Sequence, residues 1–111
     1  MKKYIRTKEN FVCEEISGKW YRVINMGAWN EIKIDFEFEA NAERILKQAD
    51  SIEDLCDEFV VVYKNSRNHI NYMEFEWALD KAERSETEYE LYGAIWTEKG
   101  LIYVAKLNKN G

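Results

Sequence analysis

Polar and apolar residues alternate most regularly between Glu31 and Glu39. Ile32, Ile34, Phe36 and Phe38 interleave with Glu31, Lys33, Asp35, Glu37 and Glu39. A period of two predicts a strand with one dry face and one wet face, the wet face acidic apart from Lys33. The stretch from Ile45 to Tyr63 follows another rule. Asp50 or Ser51 can cap a helix start, and Glu53 sits three residues after Asp50 as in a capping box. Ile52, Leu55, Cys56 and Phe59 then recur at helical spacing, with Glu53, Asp54, Asp57 and Glu58 on the opposite side. The uninterrupted run Val60-Val61-Val62-Tyr63 predicts a strand covered on both faces. The stretch thus reads as a short helix feeding a buried strand.

The remaining pattern fills in around these two. Lys3 to Arg6 and Phe11 to Ile16 read as strands joined by Thr7-Lys8-Glu9-Asn10, where Asn10 tolerates positive φ. Ile5 to Phe11 is echoed by Ile95 to Leu101, and both fit a three-residue hairpin loop closed by a left-handed residue. Ser17-Gly18 breaks the chain before a strand from Lys19 to Asn25, and Met26 to Asn30 is the next connection. Ala40 to Arg44 is a connection or helical turn, and Lys64 to Asn68 is a loop by composition. Met73 to Arg84 predicts a helix with two adjacent seams, Met73/Trp77/Asp80-Lys81 and Phe75/Leu79/Ala82, giving a broad apolar face in which Trp77 is read as core; His69 to Tyr72 also alternates and fits the start of a strand. Tyr89 to Thr97 and Leu101 to Leu107 predict a central hairpin with the loop Glu98-Lys99-Gly100. Trp96 would then face Ile102, Ala94 face Val104, and Ile95 face Tyr103. The sum is a single α+β domain over residues 1–111, with a mainly antiparallel sheet of about six or seven strands and two helices. Ile52, Leu55, Phe59, Val61, Ile95 and Val104 are expected to be buried together.

Composition narrows the function classes. At 111 residues with 14% aromatics and no proline, the chain suits one well-filled core without linkers. Its apolar runs fall short of the ~20 residues of a membrane span. The start MKKYIRTKEN lacks the apolar segment of a signal peptide, so a cytoplasmic protein with Cys13 and Cys56 reduced is expected. Residues 1–30 carry six basic and three acidic side chains, and residues 31–58 carry three basic and ten acidic. A formal charge of −5 argues against nucleic acid as a direct partner.

Candidate chemistry is sparse. His69 is the sole histidine and has no neighbouring metal-ligand spacing. Two cysteines without a CxxC do not make a zinc site, and Asp50, Asp54 and Asp57 lack the spacing and glycine of a calcium loop. The paired carboxylates Glu14-Glu15, Glu53-Asp54 and Asp57-Glu58 read as solvated faces. No Gly-rich phosphate loop is present. The expectation is a protein that is not an enzyme and takes no cofactor and no metal. The candidate binding residues are Trp29, in a glycine-containing connection, and the acidic row Glu31, Asp35, Glu37 and Glu39. Such a row suits a partner with a basic surface.

The phrases ILKQADSIEDLCDEFVVVY and LYGAIWTEKGLIYVAKLN, with the start YIRTK, resemble a family of small proteins encoded by phages and prophages of Gram-positive bacteria. The likeness covers a third to half of the chain; residues 17–44 and 64–88 lie outside it. It implies an accessory protein that binds a host or defence factor stoichiometrically and modulates or inhibits it, an anti-CRISPR being one case. The alternative is a small-molecule binder, such as a sponge for a nucleotide signal. That would need a concave pocket with cations drawn from Arg6, Arg22, Arg44, Arg67 and Arg84.

Overall fold

Two left-handed turns set the first sheet. The computed structural model describes residues 3–25, 32–39, 41–65 and 68–107, without the side chains of residues 25, 35, 36 and 38. Strand β1 (Tyr4–Thr7) turns into β2 (Val12–Ile16) through Lys8, Glu9 and Asn10, with Asn10 at φ 63°. The Thr7 N–H donates to the Phe11 carbonyl at 2.8 Å, and the Thr7 hydroxyl accepts the Phe11 N–H at 3.1 Å. The β-turn predicted here is thus the three-residue loop expected. Ser17 (φ 53°) and Gly18 (φ 82°) then reverse the chain into β3 (Lys19–Asn25), as the twist-matched two-residue turn requires. Strands β4 (Ile32–Phe38) and β5 (Ile45–Ala49) complete an antiparallel sheet in the order β4-β3-β2-β1-β5.

The second sheet has the order β7-β6-β8-β9, from β6 (Glu58–Tyr63), β7 (His69–Tyr72), β8 (Tyr89–Thr97) and β9 (Gly100–Lys106). Helix α1 (Phe75–Arg84) connects β7 to β8. Val60 and Val61 are fully buried, as the β-branched run predicts. The helix lays Phe75, Ala78, Leu79 and Ala82 against Phe59, Val61 and Leu91. The first sheet covers the other half of the same face, where Val12 meets Ile95, Val104 and Leu55. Cys56 touches both clusters. It lies so close that a Cβ at position 93 would stand 2.6 Å from its sulfur, so Gly93 is there for space. The fold is therefore two antiparallel sheets and one α-helix among the described residues, an α+β arrangement with more strands and fewer helices than expected.

Several expectations need correction. The helix read from Ile52 to Phe59 is a 3-10 helix of four residues, Ile52–Leu55, followed directly by β6. Its bonds run from Asp54 N–H to Ser51 O and from Cys56 N–H to Glu53 O, both 3.3 Å, and Ser51 caps it without a side-chain bond. Pairing of Glu58 with Ala94 and Phe59 with Gly93 draws the chain into the sheet, which outweighs two turns of unsupported helix. Ile45 to Ala49, given no element from sequence, is an edge strand paired to β1. The expected buried set divides: Phe59 and Val61 lie under α1, Leu55, Ile95 and Val104 under the first sheet, and Ile52 is half-buried.

Two registers also differ. In the last hairpin Thr97 pairs with Gly100, Trp96 with Leu101, Ile95 with Ile102 and Ala94 with Tyr103. The loop is Glu98-Lys99, closed by the Thr97 hydroxyl, which donates to Gly100 O at 3.0 Å and accepts Lys99 N–H at 3.1 Å. A register shift between Gly93 and Ala94 then brings Gly93 opposite Ala105. Strand β8 is interior as expected, while β9 is an edge. In β4, Ile34 stands opposite Val23 and Glu37 opposite Tyr21, so β4 carries an extra residue. That bulge puts Ile34 and Glu37 on one face. The even alternation is therefore broken between Ile34 and Glu37, and Ile34 is 45% exposed.

Leu55 is 2% exposed where the sheets meet. Leu55→Ala is expected to lower the urea unfolding free energy by about 3 kcal/mol with an unchanged m-value. An unaltered midpoint would remove the 3-10 helix from the core.

Candidate functional site

The sheets are clamped by one ion pair. The Arg6 side chain on β1 is 13% exposed and reaches Asp57, at the entry to β6. Nη1 donates to Asp57 Oδ1 at 2.7 Å and to Leu55 O at 3.2 Å. Nη2 donates to Asp57 Oδ2 at 2.9 Å and to Asn10 Oδ1 at 3.2 Å. Asp57 Oδ2 also accepts the Trp96 backbone N–H at 2.8 Å. Burial pushes the Asp57 carboxyl up, but the Arg6 hydrogen bonds, the Trp96 N–H and the Arg6 charge outweigh it and hold the group below its ordinary value. Two functionally tempting side chains are thus used up in structure.

The residues singled out from sequence are spread. Trp29 and Glu31 lie outside the described residues, as does the Asp35 side chain. Glu37 is exposed and stands 3.7 Å from Lys19 Nζ, on the face shared with Tyr21. Glu39 is exposed, and its carbonyl accepts Arg44 Nη1 at 3.3 Å. Of the arginines, Arg44 pairs with Glu9 at 2.9 Å and Arg84 with Asp80 at 3.2 Å, while Arg67 lies outside the described residues. Arg22 stacks on the Phe11 ring with its guanidinium carbon 3.8 Å from the centroid.

A different surface gathers at α1. Met73 is 70% exposed, Trp77 55% and Ile70 40%. The Tyr72 and Trp77 rings lie 6.0 Å apart. Met73 also borders a hollow of about 500 Å³ floored by Phe59 and Phe75 and bounded by Glu53, Asp54, Glu74 and Glu76. The Met73/Trp77 seam, read from sequence as core, therefore faces water. The signal was in the sequence: that seam continues into Asp80 and Lys81, whereas Phe75, Leu79 and Ala82 continue apolar. Beside it β7 is the outermost strand of its sheet. Tyr63 N–H donates to Asn68 O, so by alternation His69 and Asn71 turn their backbone groups to the free edge.

The second concavity, about 780 Å³, lies between the turn after β1, strands β2 and β3, and the β8–β9 hairpin. Its walls are branched aliphatic side chains, and its rim carries Lys8, Arg22 and Lys99.

The chain matches no protein-family model, no curated protein and no solved structure.

The remaining reactive groups have local roles. No group of three His, Cys, Asp or Glu that could hold a metal ion occurs among the described residues. No helix there is long and apolar enough to cross a membrane. His69 is exposed, with Nδ1 3.3 Å from the Tyr103 hydroxyl. Both cysteines are free. Burial pushes the Cys13 thiol up to about 11 and, helped by the charges of Asp57 and Glu53, the Cys56 thiol up to about 12. Neither is an activated nucleophile.

The Asp57 carboxyl is lowered by folding, so its contribution is present above the ordinary carboxylate range and lost as pH falls through it. Asp57→Asn is expected to cost about 2 kcal/mol at pH 7, with the gap to wild type closing below pH ~4 in urea titrations. A gap independent of pH would assign the effect to packing. Native protein is expected to react slowly with a thiol reagent at pH 8 and to yield two equivalents once unfolded; fast native labelling of either cysteine would contradict its protonated state.

Proposed function

We propose that this protein acts by stoichiometric binding of a protein with a basic surface. The observation that carries the reading is the exposure of Met73 and Trp77, with Met73 on a hollow bounded by Glu53, Asp54, Glu74 and Glu76. Tryptophan and methionine supply the central anchors of many interfaces, and a rim of one charge steers a partner of the other. Burying the two side chains would supply contact area, while the carboxylates would set orientation and association rate. The resemblance to small phage and prophage proteins makes a host or defence factor in the bacterial cytoplasm the partner class, with modulation or inhibition as the outcome and an anti-CRISPR role as one form. The acidic residues Glu31, Asp35, Glu37 and Glu39, with Trp29, would supply a further contact.

A pull-down from host lysate supplies the partner. Trp77→Ala combined with Met73→Ala is then expected to weaken binding about 30-fold or more, with unchanged circular dichroism, since both side chains face water. Glu74→Lys with Glu76→Lys is expected to slow association at low salt and less so at physiological salt. Normal binding by these variants together with loss on Asp35→Lys and Glu37→Lys would move the interface to β4.

A further inference from the structure

The cleft between the sheets has the opposite chemistry from the α1 surface. In a chain of formal charge −5, three cations stand on its rim: Lys8, Arg22 and Lys99. None of them forms an ion pair with a described residue. Two carboxylates line the cleft as well: Glu9 is taken by Arg44 at 2.9 Å, and Glu98 leaves the cations in excess. Unneutralised cations around a concavity create a field that selects anions.

The walls decide what kind of anion. They comprise half-buried Ile102 over Val23 and Val104, which are 7% and 3% exposed, branched aliphatic groups that offer no hydrogen bonds. The polar groups at that end are committed: Asn10 Oδ1 accepts from Arg6, and the Thr97 hydroxyl serves Gly100 and Lys99. The nearest ring, Phe11, lies under the Arg22 guanidinium. A nucleobase would find no open ring to stack on. A flexible hydrocarbon tail needs none.

We propose that this cleft binds a small anion with an aliphatic body, its head at Lys8, Arg22 and Lys99 and its chain against Val23, Ile102 and Val104. The volume of about 780 Å³ lies within the range of small-molecule sites. Protein binding at α1 does not depend on this site, because the two concavities share no lining residue.

The test uses the full chain with methyl-labelled valine and isoleucine, titrated with decanoate and, separately, with AMP. The expected result is saturable decanoate binding, with shifts centred on Val23, Ile102 and Val104 and a weaker response to AMP. Replacing the three cations together (Lys8→Gln, Arg22→Gln, Lys99→Gln) is expected to raise the decanoate dissociation constant about tenfold or more. No saturable shift, shifts centred on the α1 methyls' side of the second sheet at Val61, tighter binding of AMP, or equal decanoate affinity in a folded triple variant would each overturn the proposal. Should the triple variant fail to fold, the wild-type shift pattern and the decanoate-to-AMP order decide it alone.

Discussion

The bidentate contact between Arg6 and Asp57, 51 residues apart in the chain, ties together two sheets that pack on each other through Val12, Ile95 and Val104. Taking both charges out of water carries a penalty that only good geometry offsets. Here the offset is shared: two guanidinium nitrogens meet two carboxylate oxygens, and Leu55 O and Asn10 Oδ1 take further donors. Arg6 Nε alone has no partner. The carboxylate also orders β8 through the Trp96 N–H, so a single residue ties β1, the 3-10 helix and the last hairpin together. Leu55 is placed by the same contact, through its carbonyl, and its side chain then fills the junction between the sheets.

Features settled within a few residues were legible in the sequence. Asn10 and Ser17-Gly18 announce their turns because few residues accept positive φ, and Val60-Val61 announces a buried strand because branched side chains favour that backbone. What failed depended on partners far along the chain. Phe59 satisfies a helical period and a strand equally well, and only β8 decides between them. Ile45 to Ala49 carries a weak pattern because it is an edge, with Leu46 58% exposed. The bulge in β4 comes from pairing with β3, which alternation alone does not encode. Arg6 looked like a candidate for ligand binding, and nothing local connects it to Asp57.

The candidate sites were legible in part for the same reason. Acidic composition suggested a surface for cations, but a count of charges does not say which carboxylates share a hollow with Met73 and Phe75. Likewise Arg22 was visible as a cation, whereas its company with Lys8 and Lys99 follows from two turns, 90 residues apart in sequence, lying side by side.

Strand β5 follows β4 in the chain yet pairs with β1, at the other end of the sheet from β4. The chain therefore leaves the first sheet only after crossing it, and it enters the second sheet within nine residues, at Glu58. A polypeptide cut at the connection before β5 would strip both the β5 edge and Asp57 from the piece that holds Arg6. The other piece would keep every strand of the second sheet but lose the sheet that covers it. Recombination between related genes could exchange the segment from β3 to β4, or that from β7 to α1, and keep the scaffold, but a crossover between β4 and β5 would have to bring two matched halves together again.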